Sequence, residues 1–159
     1  MASNAPAAIT ELVLEVFRIN GRLIASGDAL VAKIGLTSAR WQVLGAIALQ
    51  AAPVPVVRIA DAMGLSRQSV QRIVDALQQE GLLVFRPNPY HKRAKLVALT
   101  PNGAVLFRSA MRLQKPWARK LAAGFETGSL QAAVSVLRKL RTRLEGLGAS
   151  GVRTWSSRL

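Results

Sequence analysis

The reading of this chain turns on RIADAMGLSRQSVQRIVDAL, residues Arg58–Leu77. Two short helical patterns meet there across Met63-Gly64-Leu65. Ile59, Ala60 and Met63 mark an apolar face of the first. Val70, Ile73, Val74 and Leu77 mark a face of the second, at the i, i+3, i+4, i+7 spacing of a buried stripe. Gly64 suits the left-handed conformation that closes a helix. Ser66 is suited to be an N-cap, its hydroxyl accepting from a free backbone N–H one turn on. The opposite face of the second helix carries Arg67, Gln68, Ser69, Gln71 and Arg72, with no acid among them. Such a set matches phosphates and base edges in a major groove, where Arg pairs with guanine and Gln with adenine. The stretch reads as a helix-turn-helix whose second helix presents Ser66 to Arg72 to DNA. A solvated helical hairpin would show the same residues, so the neighbouring segments decide.

Immediately downstream, Gly81 is placed to end the recognition helix. LLVFRPNPYHKRAKLVALT (residues 82–100) then reads as a β-hairpin, with strands over Leu83–Arg86 and Lys95–Leu99. The two prolines and Asn88 between them disfavour a continued strand. The tip carries Tyr90, His91, Lys92 and Arg93, flanked by Arg86 and Lys95. A basic hairpin directly after a recognition helix is a wing, placed to reach phosphates or a minor groove. Lys92, Arg93 and Lys95 are its expected DNA contacts. Arg93 is expected to reach deepest, because a narrow minor groove attracts guanidinium charge.

The charge distribution points the same way. The chain of 159 residues has a net charge of +14 and an isoelectric point near 11.8, which favours a polyanionic partner. Residues 1–80 carry 7 Lys/Arg against 6 Asp/Glu, whereas residues 81–159 carry 15 against 2. The positive excess lies at and beyond the wing. Half the residues are apolar, enough for a packed core. This sequence has no cysteine, which excludes disulfides, Cys-based zinc sites and thiol redox sensing. MASNAPAAITEL has no basic region followed by an apolar core, so no secretory signal is expected. The longest uncharged run, Trp41–Val57, is interrupted by prolines and reads as core helix plus loop rather than a membrane span.

Further elements are expected on both sides. Residues 1–8 read as a disordered lead-in, and Ile9 to about Leu30 as a helix with Val13, Val16, Phe17, Asn20 and Ile24 on one face. Asn20, polar on that stripe, is either an interface amide or a ligand contact. Thr37 or Ser38 caps a helix over Ala39–Gln50, with Leu44, Ile47 and Ala48 buried and Trp41 near its start. Pro53 and Pro55 make a loop. Thr100-Pro101 starts a helix to about Ala123 by N-cap and proline at the first position, with Pro116 expected to kink it near Arg112. Gly124–Gly128 is a break with Thr127 as cap. The last helix, Ser129–Leu147, carries Leu130, Leu137 and Leu144 in one row and Ala133, Leu140 and Leu147 in another, a seam suited to packing between subunits. Residues 148–159 read as a tail in which Val152 and Trp155 can dock on a partner.

This order of elements resembles the MarR family of winged-helix transcription regulators over roughly residues 9–147. LTSARWQVLGAI (Leu36–Ile47) is similar to the family's second-helix segment, and Ile59–Leu83 to its helix-turn-helix. Arg86–Thr100 looks like its wing, and PNGAVLF (Pro101–Phe107) like the start of its dimer-forming helix. One position departs. The family usually has an acidic residue two before the wing arginine, where this chain has His91 before Arg93.

The resemblance implies a mainly α protein with a small β wing, an α+β winged helix-turn-helix dimerised by its N- and C-terminal helices. Residues 36–100 would form the DNA-binding lobe, with 9–35 and 101–147 as dimerisation helices. It further implies a cytoplasmic, nucleoid-associated homodimeric regulator, a repressor on an inverted-repeat operator. A small aromatic or anionic effector would release it, with Asn20, Arg22, Arg40 and Trp41 as candidate pocket residues. No cofactor or metal is implied. An enzyme is not expected, since one histidine and eight scattered acids offer no nucleophile–base pair or metal cluster. The alternatives are an architectural protein that coats DNA by charge with little sequence preference, and a winged-helix module that binds proteins.

Overall fold

The computed structural model describes residues 4–91 and 93–151, the last four by backbone alone. It is mainly helical with a small antiparallel sheet, a winged helix-turn-helix. The helices are α1 (Ala5–Val31), α2 (Ser38–Ala48), α3 (Val56–Met63), α4 (Arg67–Gln79), α5 (Pro101–Ala122) and α6 (Thr127–Gly151); a single 3₁₀ turn, Ala32–Ile34, follows α1. The strands are β1 (Val54–Pro55), β2 (Leu83–Arg86) and β3 (Leu96–Leu99), in the order β1-β3-β2. The described residues divide into two compact units, with the boundary between Trp117 and Ala118.

The core of the first unit is built where the helical stripes of the opening stretch point. Val70, Val74 and Leu77 of α4 meet Ile59 and Ala60 of α3, Val43, Leu44 and Ile47 of α2, and Leu83 and Val97 of the sheet, all buried. Gly64 takes φ 63° and Gly81 φ 73°, closing α3 and following α4 in the left-handed region that glycine tolerates without a Cβ clash. In the hairpin, Leu83 pairs with Leu99 and Arg86 with Leu96.

The wing and α5 are locked to the end of α4 at one point. The Thr100 N–H donates to the Leu82 carbonyl at 3.1 Å, and the Thr100 hydroxyl donates to the Gly81 carbonyl at 2.7 Å. That hydroxyl also accepts from the Gly103 N–H at 3.1 Å, capping α5. Gly103 is buried there, and a Cβ on it would press into the Leu82 carbonyl group, 3.0 Å from its carbon and well inside contact distance of its oxygen.

Several expectations are corrected. Residues 5–8 are not a lead-in but the first turn of α1, because Pro6 is preset for a helix start and alanines follow. The expected loop at Pro53 and Pro55 contains β1: Val54 pairs with Val97 and Pro55 with Leu96. Proline is accepted there because β1 is an edge strand. Of the two candidate caps for α2, Thr37 serves, its hydroxyl accepting from the Arg40 N–H. Ser38 is a buried helical residue whose own N–H donates to the Asp28 carboxylate. The helix ends at Ala48 rather than Gln50, and Val43 lies deeper in the core than Ala48.

The apolar face of α1 is not part of this chain's core. Phe17 is 70 % exposed, Asn20 and Ile24 are exposed, and only Gly27 and Val31 of that helix are buried. The helix α5 is continuous through Pro116.

In the second unit, Gly124 takes φ 85° after α5. Thr127 is the first helical residue of α6 rather than its cap, since the Glu126 carbonyl already accepts from the Leu130 N–H. The helix runs on through residues 148–151, where a tail was expected; isolated glycines weaken a helix by about 1 kcal/mol each without ending it. Val152 and Trp155 lie outside the described residues. Leu130, Leu137, Leu144 and Leu147 are all exposed on α6. No helix among the described residues is long and apolar enough to cross a membrane.

Candidate nucleic-acid interface

The N-terminus of α4 is organised by its own serines. Ser66 Oγ accepts from the Ser69 N–H at 3.1 Å, and the two hydroxyls share a hydrogen bond of 2.8 Å. That cap leaves Arg67, Gln68, Ser69 and Arg72 exposed on the first two turns of the helix. Gln71 differs. It is half-buried, and its Nε2 donates to Asp75 Oδ1 at 2.8 Å.

The wing is shaped by a residue the sequence did not single out as functional. Asn88 Nδ2 donates to the Ala94 carbonyl at 2.9 Å across the loop, and its Oδ1 accepts from the Tyr90 N–H at 3.0 Å. Its signal was visible as Asn between two prolines, a residue type that hydrogen-bonds backbone two positions on. The His91 carbonyl accepts from the Ala94 N–H at 3.0 Å, so a backbone turn lies where the family's acidic residue would stand. Tyr90 is 88 % exposed. The Lys95 ammonium sits 5.5 Å from the centre of the Phe85 ring, a cation–π contact that steadies the base of the wing.

Helix and wing converge on one cleft of about 320 Å³. Arg67, Gln71 and Asp75 line it from α4, Arg93 and Lys95 from the wing, and Val56 from the start of α3. Three cations and one carboxylate thus face a common space. The N-cap Ser66 and Gln68, Ser69 and Arg72 of α4 lie outside this lining, and Lys92 lies outside the described residues.

A second, apolar cavity of about 500 Å³ is lined by Asn20, Leu23 and Ile24 of α1, Trp41 and Gln42 of α2, and Phe107, Met111 and Trp117 of α5, among others. The Trp117 indole N–H donates to Ser26 Oγ at 2.9 Å, tying α5 to α1 at its rim. Of the four candidate pocket residues, Asn20 and Trp41 line this cavity. Arg22 and Arg40 do not. Arg40 instead bonds Glu80 at the end of α4, an ion pair that draws its guanidinium away. Phe107 and Met111 were missed. Their i, i+4 spacing on α5 was the available signal, beside the stripe of Leu106 and Ala110. No group of three or more His, Asp or Glu that could hold a metal occurs among the described residues.

A MarR family model matches residues 34–94, the segment that holds this helix-turn-helix and wing. An uncharacterised protein of Mycobacterium tuberculosis is 34% identical over 137 residues, 86% of this chain and 94% of its own length. The chain belongs to the MarR family. Its fold is that of solved MarR-family transcriptional regulators. A MarR-family regulator from Rhodococcus sp. RHA1 superposes with a TM-score of 0.74 at 23% identity, covering 82% of this chain and 92% of that one. CouR from Rhodococcus jostii RHA1, solved with p-coumaroyl-CoA bound, gives 0.73 at 23% identity over 81% and 90%. In MarR terms, α3 and α4 are the helix-turn-helix and β2–β3 the wing of this chain.

Proposed function

We propose that this MarR-family chain is a sequence-specific DNA-binding repressor that acts as a homodimer on an inverted-repeat operator. One observation carries the reading: Arg67 and Gln71 of α4 and Arg93 and Lys95 of the wing face one cleft. A helix that reads a major groove and a wing that holds the adjacent backbone need that convergence. Residues 36–100 act as the reading lobe; the helices of residues 9–35 and 101–147 join the subunits. Ser66, Ser69 and Lys92 add phosphate contacts, and Gln68, Arg72 and Arg67 add base contacts.

Binding to phosphates releases counterions and makes affinity salt-dependent, whereas base contacts make it selective. Arg93→Ala is therefore expected to weaken binding to specific and scrambled duplexes alike and to lower the salt slope by about 1. Gln68→Ala is expected to cost ~1–3 kcal/mol on the operator and little on scrambled DNA. Binding isotherms at several salt concentrations check both. Equal affinity for every duplex at moderate salt would instead favour an architectural protein held by charge. No salt-dependent duplex binding at all would favour a protein-binding module.

The apolar cavity is the effector site in this reading, and its lining selects the ligand. It offers indole, phenyl and thioether surface with the amides of Asn20 and Gln42 and no charged side chain. An anion would lose its hydration there without a counter-charge. The effector is thus a neutral aromatic compound with one or two hydrogen-bonding groups, and it acts by favouring a dimer whose recognition helices do not fit the operator. Titrating neutral phenyl amides or alcohols and the matching carboxylates against the preformed complex tests this, with release expected only from the neutral series.

A further inference from the structure

We infer that Arg40 is a positioning residue for DNA reading: its ion pair with Glu80 fixes the far end of α4, and so the pose in which Ser66 to Arg72 meet a groove. The inference rests on the DNA-reading function proposed above. Arg40 Nη2 donates to Glu80 Oε2, joining α2 to the end of α4. The other two ion pairs among the described residues each lie within a single helix. The Arg40 side chain is 23 % exposed, so water and salt screen its charge only in part. Neither charge serves its own helix. Arg40 lies in the first turn of α2, where the helix dipole disfavours a cation, and Glu80 is the C-cap of α4, where it disfavours an anion. Each offsets the other, so the pair has a physical rationale only across the two helices.

The reading residues stand at the opposite end of the helix. With 13 residues in α4, Arg67 and Glu80 lie about 20 Å apart along its axis. A tilt of about 3° at the clamped end displaces the reading end by about 1 Å, enough to break a hydrogen bond to a base edge. Burial of Val70, Val74 and Leu77 holds α4 to the core, but apolar contact carries no direction of its own. The remaining side-chain hydrogen bonds of α4, between Ser69 and its cap Ser66 and between Gln71 and Asp75, lie within the helix and its cap. The Thr100 bonds hold Gly81 and Leu82, just past its end. Among the described residues, Arg40 thus supplies the directional side-chain bond that reaches α4 from another element.

The test is the affinity of the full chain for its selected operator and for scrambled duplexes in Arg40→Met, Glu80→Met and the double variant, methionine keeping side-chain length and helix propensity. Circular dichroism at the binding temperature checks the fold. The single variants change net charge in opposite directions. Each is nevertheless expected to bind the operator about tenfold more weakly, the worth of one base contact, with scrambled duplexes held within about twofold. The double variant keeps the native net charge and is expected to lose about tenfold as well, because losses from the two partners of one pair do not add. Where a single variant, left with one uncompensated charge, does not fold, the double variant leaves none and carries the same expectation. Operator affinities that move in opposite directions in the single variants would reduce the pair to simple attraction and repulsion of phosphate, and overturn the positioning role. So would an equal loss on operator and scrambled duplexes, or a folded double variant with native selectivity. A native chain indifferent to every duplex overturns the DNA-reading function itself.

Discussion

Gly103→Ala is expected to destabilise the protein by about 3 kcal/mol, the upper end of what an inserted methyl costs a packed site. The reason is the identity of the neighbour. The new Cβ would meet the Leu82 carbonyl group, which is backbone and cannot rotate away. That carbonyl is also held by the Thr100 N–H, and Thr100 in turn holds Gly81 and Gly103. Relief of the clash requires the start of α5 to part from the end of α4, breaking bonds that join the recognition helix, wing and α5. A loss of this size corresponds to a fall in Tm of about 6–12 °C for a chain of this length. Thermal and urea unfolding measure it, with Gly128→Ala as control: nothing lies within 4 Å of a Cβ there, and stability is expected to hold or rise slightly. An unchanged Tm for Gly103→Ala would mean that Gly103 and the Leu82 carbonyl do not approach so closely.

Leu137→Glu combined with Leu144→Glu is expected to yield a well-folded monomer that binds the operator about 10²- to 10⁴-fold more weakly than the native chain. Leu137 is 41 % exposed and Leu144 58 % exposed, so neither charge enters this chain's own core. Both lie in the leucine row of α6, where a partner subunit is proposed to cover them. Burying two carboxylates in that seam would forfeit the association. The second recognition helix would then no longer be delivered to its half-site at the effective concentration that tethering provides. Sedimentation measures the oligomeric state, circular dichroism the retained helix, and binding to full and half operators the loss. Affinity for a single half-site is expected to stay nearly constant. A dimer that survives both substitutions would remove α6 from the interface.

The parts of the molecule that were legible in advance share a property: their causes lie within a few residues. Gly64 and the Ser66 cap, the stripe of Val70, Val74 and Leu77, the Thr100 cap, and the paired strands around the wing follow from local conformational preference and hydrophobic period. The leucine row on α6 was equally readable from its period, and Leu130, Leu137 and Leu144 are exposed among the described residues. The misreadings share the opposite property. Pairing of Val54 with Val97 made a strand where prolines argued for a loop. Glu80, forty positions from Arg40, claimed a guanidinium that resemblance had assigned to a pocket.

The amino-acid sequence by itself determined the succession of helices, the turn, the wing and the basic surface that identify a winged helix-turn-helix, because caps, glycine turns and apolar periods act over one or two turns of chain. Only the tertiary structure decided which polar groups remain free to meet a ligand. That outcome depends on which residues distant in sequence are brought within hydrogen-bonding reach, and such contacts leave no period to read. It brought Arg67, Gln71, Arg93 and Lys95 to one cleft, withdrew Arg40 to Glu80, and left an apolar cavity beside Trp41 with no charge in its wall.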